Sequence, residues 1–197
     1  MYSQNIDGRW MHVRDPSLSL TPVLEIMRIE MDSIYIYDYN NLIEKGPAIL
    51  EDRIILYKDT LTLRYTLANN NKLNVNSSST KENTAKYPLE FIKLTQTKGE
   101  LINSLTSNTY IFPFFKPALE VRIGEEIHDN NILYIKNKSF LVNKIIVEYS
   151  EGTYFLSFYL RETRKYTFPI REIFKDSFSV YGVPGFSNEL LIKRVNE

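Results

Sequence analysis

The sequence predicts an all-β protein made of two tandem antiparallel up-and-down β-barrel units, and three observations carry that prediction. Fourteen Tyr and eleven Phe stand among abundant Ile, Leu, Thr and Val, a strand-forming composition. Several segments alternate apolar and polar residues with period two, separated by short polar stretches of turn chemistry. A series of short motifs from the first half also returns in the second half in the same order.

In the first unit the expected strands lie near residues 8–14, 22–30, 33–38, 45–49, 52–57, 60–67, 72–76 and 87–95. Thr60 to Leu67 alternates strictly, which puts Leu61, Leu63, Tyr65 and Leu67 on one face of a half-buried strand. Ile34-Tyr35-Ile36-Tyr37 divides into an aliphatic and an aromatic face, as expected where one side meets a core and the other a wetter surface, and Tyr39 extends the aromatic row. Tyr57-Lys58-Asp59, Asn69-Asn70-Asn71 and, in the second unit, Glu151-Gly152 are short connections with turn residues, favouring hairpins over crossovers. Asn76 to Lys86 reads as a longer polar loop before the closing strand.

The repeat consists of four motif pairs. Pro22-Val23-Leu24-Glu25-Ile26 returns as Pro117-Ala118-Leu119-Glu120-Val121, and Ile34-Tyr35-Ile36 as Leu133-Tyr134-Ile135. Ile54-Ile55-Leu56-Tyr57 returns as Ile145-Ile146-Val147-Glu148-Tyr149, and Phe91-Ile92-Lys93 as Leu191-Ile192-Lys193. The spacing drifts as loop insertions between surviving strands make it drift, which reads as duplication. Residues 1–97 then form the first unit, 98–108 a polar junction with a short helical turn around Glu100-Leu101-Ile102, and 109–197 a second, diverged unit. Its strands are expected near 109–114, 118–124, 132–136, 139–149, 153–161, 165–173, 177–182 and 189–195, with Tyr154, Leu156, Phe158 and Leu160 answering the alternating face of 60–67. Pro169 marks an edge or a bulge, since it has no N–H to give a central ladder. A short helix over Ile170 to Asp176 is the competing reading there.

Gly8-Arg9-Trp10 is preceded by Ile6-Asp7 and followed by the hairpin series and a closing strand, Pro88-Leu89-Glu90-Phe91-Ile92-Lys93-Leu94. This resembles the lipocalin-like families of the calycin group, whose first strand opens with Gly-x-Trp. In those families the Trp plugs one end of an eight-stranded barrel and a basic residue of the last strand packs across it. The resemblance covers residues 6–95 and implies Trp10 as the plug, Gly8 as its close-packing neighbour and Lys93 as the residue across from it. The unit is shorter than typical lipocalins and matches the compact lipocalin-like domains of some bacterial proteins. The second unit has Asn108-Thr109-Tyr110 in place of the motif, so Tyr110 takes the plug position with Lys193 or Arg194 opposite.

Composition excludes several functions. Twenty-four Lys and Arg balance twenty-four Asp and Glu, which removes the general electrostatic basis for a nucleic-acid or anionic-membrane partner. With no Cys there is no disulfide, thiolate nucleophile or Cys-ligated metal. No stretch approaches the roughly 18 apolar residues of a membrane span. The N-terminal residues carry no export signal, so the expected compartment is cytoplasmic if that start is native, and periplasmic or surface-exposed if a signal was removed.

Neither catalysis nor a metal or other cofactor is assigned. His12 and His128, the two histidines, lie in non-equivalent places without a second nitrogen ligand nearby. His12 shares the Trp10 face and is expected to be partly buried and hydrogen-bonded, while His128 falls in an expected loop. No nucleophile elbow, phosphate loop or metalloprotease helix is present. Glu25 and Glu120 each alternate with apolar neighbours and are expected to point outward into cross-strand ion pairs with Lys or Arg.

The aromatic residues remain. Trp10, Tyr35, Tyr37, Tyr65, Phe91 and Tyr110 are the candidate ligand-binding positions, and Phe112, Phe114 and Phe115 are expected to close a core. The expected function is a non-catalytic protein-interaction or structural module with an unknown protein partner. The alternatives are a small apolar ligand held in a barrel and an enzyme using a barrel cavity.

Overall fold

A computed structural model describes residues 6–13, 24–51, 54–57, 61–69, 71–79, 89–99, 103–135, 138–184 and 189–195, with the backbone alone at 48–51, 54–57, 61–63, 77–79, 103–104 and 128–130. The chain divides into two compact units, the first ending at Leu94 and the second continuing from Thr95.

The first unit is an antiparallel barrel sheet of β1 (Gly8–His12), β2 (Glu25–Glu30), β3 (Ser33–Asp38), β4 (Asn41–Glu51), β5 (Ile54–Tyr57), β6 (Leu61–Asn69), β7 (Lys72–Ser79) and β8 (Leu89–Lys93). Each strand pairs with the next, and β8 returns to β1 through Trp10↔Lys93, Met11↔Ile92 and His12↔Phe91. Closure removes the free edges that an open sheet exposes. Trp10, Met27, Ile29, Ile34, Tyr65, Leu73, Val75 and Phe91 form its core, with Ile36, Leu67 and Leu89 against them. These residues follow the period-two parity of their strands, which is how alternation becomes an inside and an outside.

The second unit holds β9 (Lys98–Gly99), a single helical turn α1 (Asn103–Thr106), β10 (Thr109–Phe112), β11 (Leu119–Arg122), β12 (Glu126–Ile135), β13 (Lys138–Ser150), β14 (Thr153–Leu160), β15 (Thr163–Phe174), β16 (Ser177–Val180) and β17 (Leu190–Arg194). Its main sheet runs β11-β10-β17-β16-β15-β14-β13-β12. The two end strands, β11 and β12, follow each other in the chain without a ladder between them, and the neighbouring bridge is Phe115↔Leu133, with the Tyr134 N–H donating to the Phe114 carbonyl at 2.8 Å. The core is dominated by aromatics: Phe112, Phe114, Phe115, Phe158 and Phe168 meet in edge and stacked contacts. The Phe112/Phe114/Phe115 cluster thus closes a core.

Among the described residues four hairpins turn on a residue with positive φ that is not glycine: Met31 (46°), Tyr39 (55°), Glu151 (45°) and Arg161 (54°). Left-handed backbone at this place suits the right-handed twist of a two-residue hairpin, but a β-carbon there costs energy that Asn or Gly avoids. Tyr39 therefore sits in a turn and does not extend the Tyr35 and Tyr37 row.

Several expectations are corrected. The repeat pair 54–57 and 145–149 falls on non-equivalent strands, the fifth of one unit and the fourth of the other. Residues 60–67 and 154–160 are displaced in the same way. Two further pairs slip by one residue. Trp10 is opposite Met27 and Lys93, while Tyr110 is opposite Val121 and Arg194, so Glu120 answers Ile26 and Arg194 answers Lys93. A slip of one exchanges the two faces of a strand. Residues 170–174 are strand rather than helix, His128 lies in β12 rather than in a loop, and β7 extends through Ser79 into the expected loop. Pro169 sits in β15, which has partners on both sides, and the β15–β16 register shifts between Ile170 and Glu172, so the bulge is there and the edge is not. The expected helical turn at 100–102 lies outside the described residues.

The stretch Thr95 to Gly99, which straddles the expected end of the first unit and the start of the polar junction, is also more structured than its composition suggests. Thr97 donates its hydroxyl to the Ile170 carbonyl at 2.8 Å and accepts from the Tyr154 N–H at 2.9 Å. Its own N–H reaches the Gly152 carbonyl at 2.9 Å, and the Thr153 hydroxyl donates to the Thr95 carbonyl. β15 runs past the end of β14, and β9 takes the vacated side, pairing in parallel with Glu172 and Ile173. Gly99 is required there: at φ +103° its missing β-carbon would stand 2.0 Å from the Ile173 carbonyl oxygen.

Candidate functional site

Three of the six candidate positions come together in the first barrel. Trp10, Tyr65 and Phe91 all belong to its core, with Trp10 fully buried and its indole N–H donating to the Ile6 carbonyl at 2.8 Å. The Lys93 ammonium lies 5.4 Å from the Trp10 ring centroid, and a β-carbon on Gly8 would approach the Lys93 Cε to 3.3 Å. Tyr110 occupies the corresponding rung of the second unit, buried edge-on against Phe178. Burial holds the Tyr110 hydroxyl above the ordinary phenol value, opposed by a hydrogen bond with Asn108 and by the Arg194 charge.

Tyr35 and Tyr37 are elsewhere. They alternate with the inward Ile34 and Ile36 and stand half-buried on the outer face. Tyr35 is flanked by Lys45 at 4.9 Å and Arg28 at 6.0 Å from its ring centroid, and Arg28 is ion-paired with Glu30. Such cation–π contacts organise a surface rather than line an interior.

At the opposite end of β1 from Gly8 stands a polar pair. His12 is buried with its ring 5.2 Å from Phe91, and its Nδ1 is 3.8 Å from a Glu25 carboxylate oxygen, the side chains being 3% and 13% exposed. Glu25 shares strand parity with Met27 and Ile29, which overturns the expected outward Glu25; Glu120 does face outward. Burial raises the Glu25 carboxyl above the usual carboxylate range. Asp38 is its partner in the β2–β3 ladder. The signal was available as parity: the alternation Glu25, Met27, Ile29 marks the inward face as well as Leu24 and Ile26 mark the other.

The outer surface of the second unit carries a different arrangement. Ile132 and Leu141 are direct partners on the β12–β13 ladder, and both are exposed. Beside them Tyr134 is exposed with the Lys116 ammonium 5.5 Å from its ring. On the β13–β15 face, Arg164 grips Glu148 with two hydrogen bonds of 3.1 and 2.6 Å, and the Tyr159 hydroxyl donates to the same carboxylate at 3.0 Å. Burial first and the Glu148 charge second push the Tyr159 hydroxyl up to about 12.

Among the described residues no helix is long and apolar enough to cross a membrane. Comparisons with protein-family models, with curated proteins and with solved structures found no match.

Proposed function

We propose that the chain is a non-catalytic protein-interaction module built from two tandem lipocalin-like barrel units, the second opened between β11 and β12. Connectivity supports the tandem reading: in both units the last of eight successive strands pairs with the first, and consecutive strands pair antiparallel except β11 and β12. The observation that carries the interaction reading is the exposed Ile132–Leu141 pair beside the strand pair that lacks a ladder. Exposed aliphatic side chains held together on a rigid sheet gain free energy when a partner covers them. Large side chains, meanwhile, fill the positions inside both sheets, as small barrels commonly have it. The test is affinity capture with wild-type protein and with Ile132→Glu/Leu141→Glu, followed by reassembly from purified components. A partner that loses about tenfold or more in affinity on the double substitution supports the reading. Affinity unchanged by the substitution overturns it.

A small apolar ligand in the first barrel is the second reading, favoured by Trp10, Tyr65 and Phe91 lying in one core. Mass spectrometry of the intact folded protein tests it, through a co-purifying small molecule released on unfolding.

A further inference from the structure

We propose that two copies of this chain pair antiparallel through the open edge of β13, about a two-fold axis that passes beside Leu141, so that a second copy is the partner covering the Ile132–Leu141 surface. The proposal rests on the reading of that surface as an interface and names its occupant.

β13 overhangs the strand on one of its sides. Its ladder with β14 begins at Lys144↔Tyr159 and β14 ends at Leu160, whereas the ladder with β12 covers Lys138 to Val142. Among the described residues, Lys138 to Val142 therefore have a ladder partner on the β12 side alone, and Lys138, Ser139 and Leu141 are exposed. The open stretch ends at Asn143, whose side-chain oxygen accepts from the Arg161 N–H at 2.7 Å.

One bond fixes which main-chain groups look out from this edge. The Tyr134 N–H donates to the Phe114 carbonyl, on the side of β12 away from β13. Main-chain groups alternate sides along a strand, so Ile132 and Tyr134 make the non-hydrogen-bonded rungs of the β12–β13 ladder, and their partners Leu141 and Ser139 turn N–H and C=O toward the open edge. Such an edge is a template for another strand.

Symmetry selects a second copy as that strand. With Leu141 opposite Leu141 of the other copy, each gives its N–H to the other's carbonyl, and Phe140 falls opposite Val142 in both directions. The outer rung then reads Ile132, Leu141, Leu141, Ile132, one aliphatic strip made from two exposed pairs. A register one residue away sets Leu141 against Phe140 and joins the outer face of one copy to the inner face of the other. Charge fits as well: Lys138 comes to the β14–β15 turn of the other copy, where Glu162 is exposed beside Arg161, and the two-fold repeats the approach.

The chain has no Cys, so one introduced Cys reports the register. Opposite residues of a hydrogen-bonded antiparallel rung lie about 5.5 Å apart between Cα atoms, within disulfide range. In the full chain, Leu141→Cys is expected to form a disulfide-linked dimer under air oxidation about tenfold or more faster than Ser139→Cys, which is exposed on the same face but falls opposite Asn143. Sedimentation equilibrium of the wild type supplies the second readout: a monomer–dimer equilibrium whose dissociation constant rises about tenfold or more in Ile132→Glu/Leu141→Glu. Equal cross-linking of the two Cys variants, a wild type that stays monomeric throughout the concentration series, or a dimer unaffected by the double substitution overturns the proposal. If the wild type is monomeric and a different purified protein loses affinity on the double substitution, the interface reading stands and self-pairing alone falls.

Discussion

Trp10 and Lys93 face each other across the β1–β8 ladder that closes the first barrel, with the Lys93 ammonium over the indole ring. A fully buried side chain of the core is thus covered by the strand that completes the ring. Trp10→Ala is expected to cost about 3–5 kcal/mol, the range for deleting a large buried aromatic. Lys93→Met keeps the aliphatic cover and loses the cation–π contact, so about 0.5–2 kcal/mol is expected. Urea unfolding followed by far-ultraviolet circular dichroism checks both, because Trp10 is the only tryptophan and its fluorescence disappears with it. A Trp10→Ala cost below about 1 kcal/mol would remove Trp10 from the role of plug.

Gly99→Ala tests the strap formed by β9. A methyl group 2.0 Å from the Ile173 carbonyl oxygen cannot be accommodated without moving one of the two backbones. The expected loss is about 3 kcal/mol, with exchange at Glu172 and Ile173 rising in step. Lys98→Ala, next to it on an exposed position, is expected to stay within about 0.5 kcal/mol and serves as the control.

Glu25 gives a pH prediction of definite sign. Its carboxyl is raised in the folded chain, so the folded state binds the proton more tightly than the unfolded one. The stabilisation is complete below the ordinary carboxylate value and is lost as pH rises through the folded value. The stability of Glu25→Gln relative to wild type should therefore increase from pH 4 to pH 8, since glutamine never acquires the buried charge. Paired denaturation curves across that interval check it, and a constant difference would count against the burial of Glu25.

Met31 is exposed at the tip of the β2–β3 hairpin with φ +46°, and its N–H bonds to an Asp7 carboxylate oxygen, which any residue's backbone can do. Met31→Asn is expected to stabilise the chain by about 0.5–1 kcal/mol by relieving the left-handed strain without removing a core contact. Thermal unfolding at fixed pH measures it.

Much of the strand layout was legible because a strand facing a core on one side writes its parity into the sequence. Tyr65 and Leu67 lie inward on the face expected from the run that begins at Thr60, whereas the side chains of Leu61 and Leu63 are outside the described residues. Pairing partners are not written that way. The matched Pro-x-Leu-Glu motifs placed Glu25 and Glu120 together, yet the ladders put them on opposite faces, because similarity over five residues does not fix register to one residue. Thr95 to Gly99 does not read as structured because its partners are far away in the chain: the Thr97 hydroxyl bonds to backbone groups of Tyr154 and Ile170, and the Thr97 N–H to the Gly152 carbonyl. Of the candidate site, Trp10, Tyr65 and Phe91 follow from parity alone. Tyr35 and Tyr37 lie on the outer face, apart from those three, because aromatic composition does not distinguish a lining from a surface.

The strap also sets an order of events during synthesis. Thr97 leaves the ribosome well before its acceptor Ile170, 73 residues later in the chain, and β9 has nothing to pair with until β15 has been made. The piece of the second unit that is translated first is therefore the piece that docks late, after the β13–β15 hairpins, whose contacts are local, have had time to form. A stalled or truncated chain ending before Ile170 would leave Thr95 to Gly99 as an undocked tail behind a finished first barrel.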